Sequence, residues 1–140
     1  MRFLLYNIRY GTGTGLRFHL PLPFLGYLRK VDKNMVRIAS LIKTYSPDIV
    51  GLLEVDRGSF RSSANQAVFI AEALGHYHLY QSKYADVSWI GRMPVMNKQG
   101  NAFLTSEEIR THKFHYFTKG IKRLVIELEL EKLTLFLVHL

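Results

Sequence analysis

The chain has 140 residues, of which 48% are hydrophobic and 13% aromatic, and it contains no cysteine. This composition excludes a disordered chain, a disulfide framework and any thiolate metal site, and the length suits one domain or a large piece of one. The formal net charge of +8 suits a polyanionic partner such as nucleic acid, a phosphorylated small molecule or an anionic lipid surface, although ordinary solvated Lys and Arg side chains would produce the same value.

The first predicted element is a buried strand over residues 2–8, an apolar and aromatic run too short for a helix. It lacks the apolar core and cleavage site of a secretory signal, and no run in the chain reaches the roughly 20 residues that cross a bilayer, so we expect a soluble, cytoplasmic protein. The glycine-rich stretch at 11–15 predicts a flexible loop, because no Gly-Lys-Ser/Thr follows it. Residues 16–31 predict an irregular apolar insertion that packs on a neighbouring element or contacts substrate or a membrane.

A helix and a second strand come next. Asp32 is predicted to cap the helix, apolar residues recur at helical spacing from Met35 to Tyr45, and Ser46-Pro47 ends it. Residues 48–55 form a near-continuous apolar run, which predicts a strand buried on both faces. Strand, helix and strand at this spacing predict a βαβ unit in an α/β domain.

The rest of the chain predicts one helix and then mostly strands. Ser62 or Ser63 is predicted to cap the helix and Gly75 to end it. The predicted strands cover 77–82, 101–105, 122–130 and 133–140, with a loop over 85–100. Because the last apolar strand stops at Leu140 without a cap or polar tail, we expect residues 1–140 to be one domain truncated at its C-terminal end.

Asn7, Glu54 and His139 each end an apolar run, and strand ends are where layered α/β folds build sites. Each has a simpler interpretation: Asn7 starting a turn, Glu54 pairing with Arg57 or solvent, and His139 as a satisfied histidine near the core. Together their chemistry is coherent. A glutamate suits a hard cation such as Mg²⁺, an asparagine can hold a metal-bound water or a phosphate oxygen, and a histidine can donate to a phosphoryl group or move a proton.

Four segments resemble, in order, the strand motifs of the endonuclease/exonuclease/phosphatase (deoxyribonuclease I-like) superfamily. They are residues 4–8, 48–55, 100–106 and 137–140. Leu53 stands where glutamine is usual in the second motif, and Val138 replaces the usual threonine in the fourth. Each motif is weak alone, but the ordered set spans nearly the whole chain and is specific.

The resemblance implies a role for each candidate residue. Glu54 would be the ligand of Mg²⁺, with Mn²⁺ as a substitute, and Asn7 would lie beside it in contact with metal or phosphate. His139 would hydrogen-bond the scissile phosphate. Asn101 would either contact the substrate or only fix the turn before a strand.

The resemblance also implies a fold and an activity. The fold would be an α/β/β/α two-sheet sandwich, of which this chain is the N-terminal half. The complete protein would be a nuclease, phosphatase or phosphodiesterase in which Mg²⁺ assists the attack of water on phosphorus, and its substrate would be nucleic acid or a phospholipid head group. The family's later Gly-Asp-x-Asn and Ser-Asp-His motifs do not occur in residues 1–140, so we expect this chain alone to be inactive.

Two alternatives remain at the level of sequence. One is a non-catalytic polyanion-binding module or pseudoenzyme, which would bind without regard to Mg²⁺ and weaken steeply with salt. The other is a membrane-surface protein that uses residues 16–28.

Overall fold

The structure is a computed structural model, and it describes residues 1–13, 31–60, 62–84, 96–119 and 124–139. The predicted insertion at 16–31 lies outside these ranges except for residue 31, and residues 85–95 of the predicted loop at 85–100 lie outside them. The second half of the 11–15 stretch and Leu140 also lie outside them.

The described residues form two sheets and two α-helices. The strands are β1 (Phe3–Asn7), β2 (Ile49–Asp56), β3 (Tyr77–Ser82), β4 (Gln99–Thr105), β5 (Thr111–Tyr116), β6 (Leu124–Glu129) and β7 (Thr134–Val138), and the helices are α1 (Asp32–Thr44) and α2 (Gln66–Leu74). Short 3₁₀ turns lie at Arg9–Gly11 and Met96–Lys98. A four-stranded sheet has the order β1-β2-β4-β3, and a three-stranded antiparallel sheet has the order β5-β6-β7. Because β1 and β2 are parallel and flank α1, the predicted βαβ unit is confirmed.

Side chains alternate across β2 and divide the core into two layers. Val50 and Leu52 pack with residues of α1 and α2 in one buried cluster. Ile49 packs in a second cluster with residues of the three-stranded sheet. Gly51 lies between the sheets, where an added Cβ would be 3.1 Å from Leu137 of β7. The two-sheet α/β architecture is therefore confirmed, and the described residues form three of its four predicted layers.

The prediction that the first strand is buried is wrong for one of its two faces. Phe3 and Leu5 of β1 are 47% and 54% exposed, since β1 is the edge of the four-stranded sheet and β7, the edge of the other sheet, lies over its neighbour β2. Phe136 of β7 is also exposed. By contrast, β2 is largely buried on both faces, as predicted.

The N-terminal caps of the two helices are not the predicted residues. The N-cap of α1 is Val31, which has no capping side chain, and Asp32 is already the first helical residue. Its carboxylate accepts hydrogen bonds from the backbone and hydroxyl of Ser63, both at 3.2 Å, so it ties α1 to the approach of α2. A long-range partner therefore takes the oxygen that would have capped the helix locally.

The N-cap of α2 lies two to three residues after the predicted caps. This residue is Asn65, whose Oδ1 accepts a hydrogen bond from the Ala67 amide at 3.0 Å. Ser62 instead donates its hydroxyl to a nearby carbonyl. Gly75 ends the helix in the left-handed conformation, φ 70°, and this prediction is confirmed.

Strand β5 was not predicted, and β4 starts earlier than expected. Only Phe114 and Tyr116 of β5 are partly buried, so its apolar period is faint in a run rich in His, Lys and Thr. Strand β4 begins at Gln99, inside the predicted loop, because Gly100 has close strand neighbours on both sides. Within the described residues, no helix is long and apolar enough to span a membrane.

Candidate active site

The three predicted strand-end residues come together at one end of the sheets. Asn7 of β1 pairs with Leu53 of β2, so it lies beside the residue that precedes Glu54. His139 directly follows β7, and its Nε2 lies 3.8 Å from Oε1 of Glu54. The two side chains are only 18% and 15% exposed. The site therefore joins a carboxylate from one sheet with an imidazole from the other.

A β-bulge determines where Glu54 points. The pairing of β2 with β4 shifts by one residue between Leu52 and Val55, which leaves Leu53 and Glu54 together opposite Asn101. If side chains alternated strictly along β2, Glu54 would point to the same side as Leu52, into the core between the sheet and the helices. Val55 occupies that core instead. Glu54 adopts a left-handed backbone, φ 57°, at a cost of about 1–3 kcal/mol for a non-glycine residue. The bulge thus directs the carboxylate away from the apolar core and toward the second sheet.

Asn101 holds this bulge from the neighbouring strand. Its Oδ1 accepts a hydrogen bond from the Glu54 amide at 3.3 Å. The side chain is 1% exposed, and its Nδ2 has no hydrogen-bond partner among the described residues. A buried donor left without an acceptor costs about 1–3 kcal/mol. Because Asn101 lies within β4, the interpretation that it only fixes a turn before the strand is wrong.

Asn7 starts a turn at the edge of the site. Its Oδ1 accepts a hydrogen bond from the Arg9 amide at 3.0 Å. Arg9, Tyr10 and Gly11 all have positive φ, and Gln66 Nε2 donates to the Tyr10 carbonyl at 2.8 Å, which fixes the turn from α2. The predicted turn role of Asn7 is confirmed. The exposed Asn7 Nδ2 makes no hydrogen bond within the described part of the chain, so it can donate to a ligand.

Two buried polar residues beneath the site have no counterpart in the sequence predictions. Gln66 is fully buried and bridges two segments, since its Oε1 accepts from the Asp56 amide at 3.0 Å while its Nε2 binds Tyr10. Lys83 is 1% exposed, donates to the Tyr10 hydroxyl at 3.1 Å, and lies 5.2 Å from the ring centroid. Their partners are distant in sequence, so no local pattern identifies them.

The far side of the same end is closed by a contact between the sheets. Gln81 of β3 donates to the Tyr116 hydroxyl of β5 at 2.7 Å, and that hydroxyl donates to the Ser82 carbonyl at 3.3 Å. Nearby, burial raises the pKa of Tyr80, whose hydroxyl donates to the Lys98 carbonyl at 2.8 Å. These contacts have a structural role, because each of the three hydrogen bonds joins two groups of the protein.

The donor set suits one type of cation. Among the described residues, no three His, Cys, Asp or Glu side chains converge. Mg²⁺ usually binds through one or two carboxylates and keeps several waters. The Glu54 carboxylate fits such a partly hydrated ion, and Asn7 lies on the neighbouring strand, paired with Leu53.

Comparison with solved structures defines the class of fold. A protein of the endonuclease/exonuclease/phosphatase group from Beutenbergia cavernae is similar with a TM-score of 0.62 and 21% identity, covering 99% of this chain and 38% of that one. A family protein from Leptotrichia buccalis is similar with a TM-score of 0.61 and 16% identity, covering 97% of this chain and 52% of that one. Both place the chain in the two-sheet α/β fold, and it spans about half or less of their length.

The family follows from the sequence match. The model of the Endonuclease/Exonuclease/phosphatase family matches residues 4–138, so the chain belongs to this family, which includes metal-dependent phosphoester hydrolases. Among curated proteins, none matches the chain with significant similarity.

Proposed function

We propose that this protein hydrolyses phosphoester bonds by Mg²⁺-assisted attack of water on phosphorus. The supporting observation is the approach of Glu54 Oε1 and His139 Nε2 to 3.8 Å across the two sheets, at the end where Asn7 also lies. Since the chain spans only 38% and 52% of the two similar structures, the proposal concerns the activity of the whole protein.

Each residue has a distinct task in this proposal. Glu54 holds Mg²⁺ (or Mn²⁺), which when bound neutralises charge that develops on the phosphoryl oxygens. His139 donates a hydrogen bond from Nε2 to an oxygen of the scissile phosphate and keeps the phosphate beside Glu54. Asn7 donates from Nδ2 to the same phosphate or to a water of the cation, while its Oδ1 keeps the turn in place.

The proposed substrate is a polyanion, and nucleic acid is the first choice. The net charge of +8 favours a long phosphate chain over an isolated phosphate. A phospholipid head group is the second choice, because its phosphodiester presents the same reacting atoms.

The test is turnover by the full-length protein with Mg²⁺ on single- and double-stranded oligonucleotides, phosphoinositide, sphingomyelin and bis(p-nitrophenyl) phosphate. Glu54→Gln and His139→Asn should each lower kcat/KM by roughly 10²–10⁴-fold, and chelation should abolish turnover. Glu72→Gln and His78→Asn are matched controls, because both residues are exposed and lie outside the site. Turnover that resists chelation and the Glu54 change would refute the proposal.

A second candidate function is a pseudoenzyme that only binds polyanions. The basic net charge is the observation that favours it. Nucleic-acid affinity that falls steeply with salt, ignores Mg²⁺ and is unchanged in Glu54→Gln, together with no hydrolysis of any of these substrates, would establish it instead.

A further inference from the structure

The amide of Glu54 is in an unusual position for a strand. A bulge adds one residue to β2, and the extra residue is left out of the regular backbone ladder. The Glu54 N–H is nevertheless satisfied, because Asn101 Oδ1 accepts it at 3.3 Å from across the sheet. The side chain of Asn101 therefore replaces the hydrogen bond that the ladder lacks at this residue, and it does so where the backbone is left-handed.

This contact also orients the Asn101 carboxamide. An N–H needs an oxygen opposite it, so the oxygen must face Glu54 and the nitrogen must point the other way. That nitrogen is buried and has no acceptor among the described residues. Gln66, another fully buried carboxamide, uses both ends, on the Asp56 amide and the Tyr10 carbonyl. The fold can thus satisfy a buried carboxamide completely, and at Asn101 it leaves one donor open.

The open donor lies in the same layer as the candidate site. Along β4, Asn101 has the parity of Phe103, which packs between the two sheets. His139 and the Glu54 carboxylate occupy the same end of that layer. An oxygen atom bound between these side chains would meet three protein groups from three strands or strand ends.

We propose that Asn101 is the positioning residue for Glu54 and that its Nδ2 donates a hydrogen bond to an oxygen of the bound phosphate. This inference rests on the proposed function, since it takes a phosphate as the ligand. The carboxamide of Asn101 would then contact both Glu54 and the phosphate. Its oxygen fixes the direction of the Glu54 carboxylate, and its nitrogen binds the phosphate.

Two substitutions separate the two ends of the carboxamide. Asn101→Asp keeps an oxygen for the Glu54 amide and replaces the open donor with a negative oxygen. Asn101→Leu has a similar size and removes both. Asn65→Ala is the stability control, because it also deletes an asparagine oxygen that accepts a backbone N–H, at 3.0 Å from Ala67, but lies at the start of α2.

The measurements use the full-length protein with Mg²⁺ alone and with inorganic phosphate. Asn101→Leu should weaken Mg²⁺ binding at least about tenfold, since partners that orient a metal ligand carry effects of this size, and should speed hydrogen exchange of the Glu54 amide. Asn101→Asp should keep Mg²⁺ affinity and the exchange rate but weaken phosphate binding about tenfold or more. In the wild type, the side-chain NH₂ resonances of Asn101 should move when phosphate is added. Asn65→Ala should lower stability without any of these changes.

Either half of the inference can fail separately. Wild-type Mg²⁺ affinity and Glu54 exchange in a folded Asn101→Leu variant would overturn the positioning role. Asn101 NH₂ resonances that ignore phosphate, with unchanged phosphate binding by Asn101→Asp, would overturn the ligand role and leave a buried water as the partner. If the binding effects appear but no substrate is hydrolysed, the proposed reaction fails and the assignment of Asn101 stands.

Discussion

The left-handed backbone of Glu54 can be tested by comparing two variants that both lack the carboxylate, Glu54→Gly and Glu54→Ala. In an ordinary strand, glycine is less stable than alanine by about 0.5–1 kcal/mol, because the unfolded glycine chain has more freedom to lose. At φ 57° the order should reverse. Alanine keeps a Cβ that opposes this conformation by about 1–2 kcal/mol, whereas glycine has no such penalty.

Subtraction gives the expected size. A steric relief of about 1–2 kcal/mol less an entropic cost of about 0.5–1 kcal/mol leaves Glu54→Gly more stable than Glu54→Ala by roughly 0–1.5 kcal/mol. Both variants lose the contact with His139 equally, so that contact cancels. For a chain of 140 residues, 1 kcal/mol corresponds to a shift in Tm of roughly 3–5 °C.

Urea unfolding of the two variants, followed by circular dichroism under identical conditions, measures the difference directly. Equal m-values would show that both unfold from comparably compact states. Ser106→Gly and Ser106→Ala, at an exposed position just after β4, provide the usual order of the two residues. If Glu54→Ala is more stable than Glu54→Gly by as much as Ser106→Ala is more stable than Ser106→Gly, the bulge does not hold Glu54 in a left-handed conformation, and the carboxylate is not directed in this way.

Three further predictions concern residues around the site. Gly100→Ala should destabilise the protein by about 3 kcal/mol in urea unfolding, because the new Cβ would lie 2.2 Å from the Gln81 carbonyl oxygen; a neutral effect would show that β3 and β4 are not in this register. Burial lowers the pKa of His76 from its ordinary 6.5, so the folded state binds fewer protons than the unfolded state, and stability should fall as pH drops through about 6.5. In His76→Gln, the urea midpoint of unfolding should depend less on pH between about pH 7.5 and 5.5. An unchanged pH dependence in that variant would contradict the assignment. Tyr10→Phe removes the hydroxyl that accepts from Lys83 at 3.1 Å and should cost about 1–3 kcal/mol, with loss of less than about 0.5 kcal/mol counting against a structural role for this bond.

The elements that the sequence predicts well are those whose signal is local. Residues 48–55 form a near-continuous apolar run, and the strand found there is largely buried on both faces. The helix ended by Gly75 and the final hairpin also follow from short-range spacing and turn chemistry. The ordered motifs indicated the family, because each motif is one continuous segment at or beside a single strand and needs no knowledge of its partners.

Elements whose signal depends on distant partners were missed or misplaced. Asp32 has the chemistry of a helix cap, yet its carboxylate binds Ser63, 31 residues away. Phe3 and Leu5 are apolar enough for a central strand, yet they are half-exposed because, within the described part of the chain, no strand of the second sheet lies over β1. The sequence indicates which side chains are hydrophobic, but the tertiary arrangement decides which of them are buried by other elements.

The candidate site shows the same division. The sequence alone predicted that Asn7, Glu54 and His139 lie at the ends of apolar strands; Asn7 does end β1 and His139 follows β7, but Glu54 lies inside β2, which continues to Asp56. Only the tertiary structure decided that Glu54 turns toward His139, because the bulge that turns it arises from register with β4, whose Asn101 lies 47 residues along the chain. Side-chain alternation is a property of one strand, whereas a bulge is a property of two. The direction of the carboxylate therefore depends on a pairing that no local pattern contains.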